Sequence, residues 1–429
     1  MVASSASTQM THRTVLSNGI TLIVTENPIA DLVAGRLFFP QAGGCWETLA
    51  QAGLFHLMAA VITKGTRRYS AVEIAEQVES IGASLGASAS SDYVALSLKT
   101  VTKDFQTIFK LMAEILREPT FPPEEVELER KITLQSIRSQ QEQPFNVAYD
   151  LLRGQMYPQH PYGQSILGTE TTVQSLTPED LRQAHQRHFR PDNLVISLSG
   201  RITLEQAEAI AEQTLGDWQN PPEPLPPLEI PALVPQGGFW RQEKDSQQAI
   251  IILGYLTGTV ADDDFFALKL LSTYLGNGLS SRLFVELREK QGLAYDVSAF
   301  FPTRLAQSQF ITYIGTAPKN TAIALQGLYD EMQRLVAAPL AEVDLQVAKN
   351  KLLGQYALGK QTNAELAQIF GWYESIGLGI DFDQAFRSHV EKITTAETHQ
   401  AAQRHFQQPY IVVVGPQEAL SLVQDIQLS

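Results

Sequence analysis

Among the residues whose chemistry could be put to use, His56 is the most telling, because of its neighbours. It lies in the apolar run Gly53-Leu-Phe-His-Leu-Met-Ala-Ala-Val-Ile-Thr-Lys-Gly-Thr66, which reads as a helix. Two histidines four residues apart share one helix face and bind Zn²⁺ together, and a Glu between them activates water as general base. Here the third and fourth places after His56 hold Ala59 and Ala60. Methyl groups bind no metal, yet Ala ranks first in helix propensity, so the scaffold survives without the chemistry.

Arg288 and Tyr295 lie seven residues apart in the segment Ser280–Tyr295. A guanidinium fork and a phenol hydroxyl can both donate hydrogen bonds to a carbonyl oxygen that gains charge. On spacing alone, Arg288 could equally ion-pair on its helix and Tyr295 fill a core edge. His185 and His188 have i, i+3 helical spacing, but no third ligand accompanies them, which argues against a metal. Gly276-Asn277-Gly278 has no phosphate-cradle spacing and reads as a turn after a helix. Lys64-Gly65-Thr66 is a helix end, since no upstream glycines make it a P-loop.

The frame around these residues resembles the pitrilysin-type (M16) family of inverted-zincin peptidases. The closest likeness is to the short, two-repeat branch that includes mitochondrial processing peptidase and its bacterial relatives. The family's zinc helix resembles G-L-A-H-F-L-E-H-M-L-F-K-G-T, so Gly53, Leu54, His56, Lys64, Gly65 and Thr66 match. Its third ligand is a Glu in a context like E-R-x-V-I-L-Q-E-I. This chain has Glu129-Arg-Lys-Ile-Thr-Leu-Gln-Ser136-Ile, placing Ser136 at the ligand position. The resemblance thus implies a degenerate zinc site of His56, Ala59, Ala60 and Ser136. Glu129 lies two turns before Ser136, roughly 10 Å along the axis, and reads as out of reach of the same metal. One His cannot hold a catalytic zinc, so no metal site is expected here and zinc is expected only in a partner subunit.

The same resemblance extends to His160-Pro-Tyr-Gly163, to Phe189-Arg-Pro-Asp-Asn193, and to Arg288 and Tyr295, which match a pair holding substrate backbone and oxyanion over the zinc. It also reaches Phe38-Phe39-Pro40-Gln41-Ala42-Gly43, which resembles the edge strand and turn beside the zinc helix. An edge leaves backbone groups unpaired for an added peptide strand, so Phe39, Gln41, Ala42 and Gly43 are expected to form a peptide-binding edge. Pro40 fits an edge better than a central strand.

Composition agrees with a multidomain globular protein: 429 residues, 44% hydrophobic. A net charge of −14 argues against nucleic acid, because phosphate binding needs clustered Lys and Arg. Cys45 is the only cysteine, so there is no intrachain disulfide and no thiolate zinc site. The first residues carry neither a basic nor an apolar signal region, and no run of about 18 apolar residues occurs. A cytoplasmic, membrane-free protein is expected.

Seven prolines between Pro221 and Pro235 mark a linker near the midpoint. The halves it separates are related: Leu176–Gly200 echoes Ile393–Gly415, each a helix ending in Gln-Arg-His-Phe and then an apolar strand closing on Gly. The chain thus divides into an N-terminal repeat over 1–219, a Pro-rich linker over 220–235 and a C-terminal repeat over 236–429. Patterning predicts a hairpin around Asn18-Gly19, strands at 32–39, 93–101, 248–255 and 310–315, and helices at 71–81, 104–116, 123–141, 263–274, 322–335 and 340–360. This is an α+β fold in which each half is a mostly antiparallel sheet covered on one face by helices, matching the metallohydrolase fold the resemblance implies.

The functional expectation is a non-catalytic subunit of a zinc peptidase that binds peptides with a homologous partner carrying H-x-x-E-H and donates Arg288 and Tyr295 to its site. The alternatives are a structural subunit like the core proteins of the respiratory bc1 complex, or a standalone peptide-binding homodimer.

Overall fold

The computed structural model describes residues 10–225, 227–228, 230–424 and 426. Residues 1–9, which carry the signal-region reading, and linker residues Pro226 and Glu229 lie outside the described residues. The chain forms two compact units. One comprises residues up to Gln135, Ser165–Leu228 and Ala357–Asp383; the other comprises Ser136–Gln164, Glu229–Tyr356 and residues from Gln384 on.

In the first unit, strands β1 (Thr11–Val15), β2 (Thr21–Glu26), β3 (Leu32–Phe39), β4 (Ser84–Ala89), β5 (Val94–Val101) and β6 (Val195–Gly200) form one sheet in the order β1-β2-β6-β3-β5-β4. The pairings are antiparallel apart from β2 with β6. Asn18-Gly19 turns the first hairpin as expected, with Gly19 at φ +98°. Leu22, Val33, Leu37, Phe39 and Leu96 point from one face into a core closed by helices α1 (Leu54–Val61), α3 (Phe105–Arg117), α7 (Pro178–His188) and α8 (Leu204–Leu215). In α3, Phe105, Ile108, Phe109, Met112, Ile115 and Leu116 recur every three or four residues and are all buried. Each such side chain contributes about 1.5–3 kcal/mol through burial. Helices α2 (Ala71–Glu79) and α6 (Glu170–Ser175) and the first part of α4 (Pro123–Glu142) complete the first unit.

Helices were expected on one face of the sheet, but both are covered. Every residue of β6 is buried, as for a strand sandwiched on two sides. The second cover is α12 (Asn363–Ser375), which comes from the C-terminal half of the sequence. It approaches closely at Gly371, where a Cβ would stand 2.4 Å from the Phe38 ring and 2.8 Å from the Ser197 Cβ. Arg13 anchors it through Glu374 at 2.7 Å, and the Asn363 side-chain Oδ1 accepts from Asn27 Nδ2 at 2.7 Å.

The second unit has a five-stranded sheet of β7 (Gly238–Glu243), β8 (Ala249–Leu256), β9 (Asp296–Phe300), β10 (Gln309–Thr316) and β11 (Tyr410–Gly415) in the order β7-β11-β8-β10-β9. The β7–β11 pair is parallel, mirroring β2–β6. Helices α9 (Phe265–Gly276), α10 (Thr321–Ala337), α11 (Glu342–Leu358) and α14 (Thr395–His405) follow the pattern expected from the sequence, while α13 (Phe382–Lys392) and α15 (Gln417–Ser421) are not among the expected helices. Helix α5 (Pro144–Met156) packs on β8 and β11, although it belongs to the N-terminal half of the sequence. A Cβ on Gly254 would meet the Met156 sulfur at 2.7 Å. The repeat boundary at the Pro-rich linker and the packing boundary therefore differ: each unit takes one helical segment from the other half.

The echoed segments fold alike. Thr177 and Thr394 cap α7 and α14 through capping boxes, with Asp180 and Glu397 reaching back. The next phenylalanine after each helix is buried in its own core, Phe189 stacked 4.0 Å from Phe39 and Phe406 packed 4.7 Å from Phe310.

Candidate functional site

Helix α1 is placed by its N-terminus. Gly53 takes φ +94°, and a side chain there would run into the Leu167 carbonyl at 2.6 Å, so Gly is required twice over. The Glu47 carboxylate accepts the N–H groups of Gly53 at 2.9 Å and Phe55 at 2.7 Å, satisfying donors that a helix start leaves unpaired. Burial pushes the Glu47 carboxyl up to about 7 against the pull of those donors. The Thr172 hydroxyl donates to Ala52 O at 2.7 Å and fixes the approach from the other side. At the exit, Thr66 donates to Glu114 at 2.7 Å and Thr120 N–H bonds Gly65 O at 3.0 Å, so Lys64-Gly-Thr66 ties the helix end to the α3–α4 connection.

On this helix His56 is partly buried, and burial lowers its pKa while the charge of Glu129 raises it. Glu129, read from spacing as out of reach, is the carboxylate that acts on His56. Its side chain is 15% exposed and pairs with Lys64 at 3.2 Å. Ala59 is buried and Ala60 half-buried on α1, and Ser136 sits half-buried on α4. Among the described residues, no group of three or more His, Cys, Asp or Glu is placed to hold a metal.

The edge expected at Phe39–Gly43 needs correcting. Strand β3 is central, paired with β5 through Phe39 on one side and with β6 through Phe38 on the other. Phe39, Ala42 and Gly43 are buried. Gln41 N–H bonds the Asn193 side chain at 2.9 Å, and the His188 ring donates to Gln41 O. Pro40 comes after the strand and lies in a turn, so its missing N–H breaks no ladder. The true edge beside α1 is β4, Ser84-Leu-Gly-Ala-Ser-Ala89, paired with β5 alone. Its apolar positions, Leu85, Ala87 and Ala89, do alternate with Ser84, Gly86 and Ser88, but two of the three are only alanine and the signal is weak.

His185 and His188 are not ligands. The His185 ring bonds Leu116 O at 2.8 Å, and burial pushes both histidines down to about 4, so they are neutral donors to carbonyls. Gly276 ends α9, as expected for a turn after a helix.

Arg288 lies on a π-helical segment, Phe284–Lys290, a rare geometry often found at functional sites. Its guanidinium stacks over the Phe284 ring, 4.9 Å from the centroid. Tyr295 is 60% exposed, and its N–H pairs with Gly315 O at 2.8 Å just before edge strand β9. Neither side chain has a hydrogen-bond or ion-pair partner among the described residues. Arg282, by contrast, is locked to Glu331 at 2.9 Å just before that segment.

Comparison with known proteins decides the family. Residues 22–170 match the family model described as Insulinase (Peptidase family M16), and residues 175–352 match Peptidase M16 inactive domain. The chain belongs to peptidase family M16. An uncharacterized zinc protease of Streptomyces coelicolor is 27% identical over 414 residues, covering 94% of this chain and 89% of that protein. One of Bacillus subtilis is 26% identical, covering 84% and 87%. The crystal structure of a peptidase M16 inactive domain from Pseudomonas fluorescens superposes with TM-score 0.88 at 25% identity, covering 95% of this chain and 98% of that one. A Helicobacter pylori protease shares the fold with TM-score 0.90 at 20% identity, covering 95% and 100%.

The M16 relatives' names imply zinc, but the residues here do not fit it. One imidazole, two methyl groups and a hydroxyl replace the ligand and base set, and His56 with Glu129 falls short of the about three protein ligands that a catalytic zinc needs. No helix among the described residues is long and apolar enough to cross a membrane.

Proposed function

We propose that this M16 chain is a non-catalytic subunit of a zinc peptidase. It binds extended peptides and supplies Arg288 and Tyr295 to the site of an active, H-x-x-E-H-bearing partner. The observation that carries the reading is the contrast between a metal helix kept in place by Glu47, Gly53 and Lys64–Glu129 without its ligands, and an Arg/Tyr pair left uncommitted. Strand β4 supports the peptide half of the proposal. Alternate residues of an edge strand turn N–H and C=O groups outward, and an extended chain can pair with them.

The chain's own contribution to catalysis is electrostatic. The Arg288 fork and Tyr295 hydroxyl donate to a peptide carbonyl as its oxygen gains charge, while bond cleavage is the partner's work. The test is affinity purification of the tagged chain from its native cells, with mass spectrometry, zinc analysis and peptide cleavage on the eluate. A partner of similar size with intact H-x-x-E-H, zinc and activity is expected. Stoichiometric zinc and turnover in the isolated chain would overturn the reading.

A further inference from the structure

On the α12 side of the first sheet, Arg36 stands in the middle of β3 with Ser97 of β5 and Ser197 of β6 directly opposite in register. Lys99, opposite Ala34, is its diagonal neighbour on the same face. Two cations so placed repel. The Arg36 guanidinium is about half-buried and makes no ion pair or side-chain hydrogen bond among the described residues, although the chain has 46 acidic residues to 32 basic ones. Burial disfavours its charge; Tyr93 offsets part of that cost, and no carboxylate among the described residues does. The Ser197 hydroxyl beside it is buried without a partner.

Arg36 borders an open surface cleft of about 330 Å³ lined by Gly359, Ala364, Gln368, Ile369 and Trp372. Glu365 also borders it, but its carboxylate is committed to capping α12, accepting from Thr362 N–H at 2.8 Å and Oγ1 at 3.0 Å. What remains is a guanidinium fork, the Gln368 amide, which also bonds the Tyr93 hydroxyl, and an indole and isoleucine wall. That set matches a planar carboxylate on an aliphatic stem: bidentate pairing at one end, apolar packing along the other. The cleft is at the small end for ligand sites, the size of one or two residues. A strand added at β4 would lie about 14 Å from β3, at roughly 4.8 Å per strand, so a side chain on it does not reach Arg36. The occupant comes from a free acid or from a chain crossing this face, and the site is independent of strand addition.

We propose that Arg36 and Trp372 form a carboxylate-binding pocket for a glutamate-like side chain or a free acid of that shape. Calorimetric titration tests it with N-acetyl-glutamate, and with amidated Gly/Ser heptapeptides carrying one central Glu or Gln. The wild type is expected to take the carboxylate probes about tenfold or more tightly than their amide counterparts, the free-acid arm being compared with N-acetyl-glutamine. Arg36→Met should erase that preference, and Arg36→Lys, which keeps charge but loses the fork, should restore part of it. Without ligand, Arg36→Met should melt at or above the wild-type Tm. Binding of N-acetyl-glutamate alone assigns the pocket to a free acid, and binding of the Glu peptide alone assigns it to a chain. No binding by either, equal binding of Glu and Gln forms, a preference that survives Arg36→Met, or a marked fall in its Tm would overturn the proposal.

Discussion

Both units build the same device, a helix beneath an edge strand with a short helical segment leading into that strand, and they differ in the side chains that the device carries. In the first unit α1 lies beside β4, and α2 leads into the edge; in the second α9 lies beside β9, and the Phe284–Lys290 segment leads into it. The first keeps the placement of the helix through Glu47 and Gly53 but carries alanines where polar groups would act. The second buries α9 as plain core, with Leu270 and Leu271 inside, and keeps its polar groups in Arg288 and Tyr295. Scaffold and chemistry are therefore separable. Packing and capping hold the backbone, and a side chain that protrudes from it can be lost or kept with little consequence for the fold.

The most drastic way to break the contrast is to refill the empty places. Ala59→Glu, Ala60→His and Ser136→Glu together restore the residues that the family resemblance assigns, and metal analysis should then find about one zinc per folded chain and none in the parent. A folded triple variant without zinc would show that more than side chains has been lost. Next in size, Arg288→Ala or Tyr295→Phe should lower peptide cleavage by the assembled complex on the order of 100-fold while leaving assembly intact, as steady-state kinetics and size exclusion would show. Equal activity would remove the second unit's half of the comparison.

A smaller effect is expected where the sheet's second face is closed. Gly371→Val has no room against Phe38 and should cost about 1–3 kcal/mol in urea unfolding, the first unit losing its cover before its core. The smallest effects concern pH. Glu47 holds its proton to about 7 when folded, above its ordinary 4.5, so the stability it lends is full below 4.5 and is lost as pH rises through 7. Relative to wild type, Glu47→Gln should gain Tm as pH rises over that range. His185 and His188 run the other way: folded near 4 against an ordinary 6.5, they lend stability above 6.5 that is lost as pH falls through 4. His185→Gln should flatten the acid limb of the melting curve.

Much of this fold is legible in the residues. Patterning places β3 over the residues it occupies, and α3, α4, α10 and α11 fall within three residues of their expected ends, because long periodic runs report one buried face. Periodicity does not say which sheet that face meets, so the crossing over of α5 and α12 is invisible to it. The edge reading fails because it counts Pro40 in a strand that ends one residue earlier, while β4, made mostly of Ser, Gly and Ala, has too little contrast to register. Distance along its own helix puts Glu129 out of reach of a metal at the Ser136 position, and spacing does not show that its charge acts on His56. Arg36 escapes notice within a strand correctly placed; a lone cation in an apolar strand is the available signal.

The exchange of helical segments bears on how the chain is made. The first unit cannot close until residues 357–383 leave the ribosome, when most of the chain has already been synthesised. Until then Phe38 and Ser197 face solvent on an open sheet, a state that invites aggregation and calls for a chaperone. The same weave means that a protease cutting the Pro-rich linker would yield fragments that each still complete the other's unit, so a nicked protein should remain whole under native conditions.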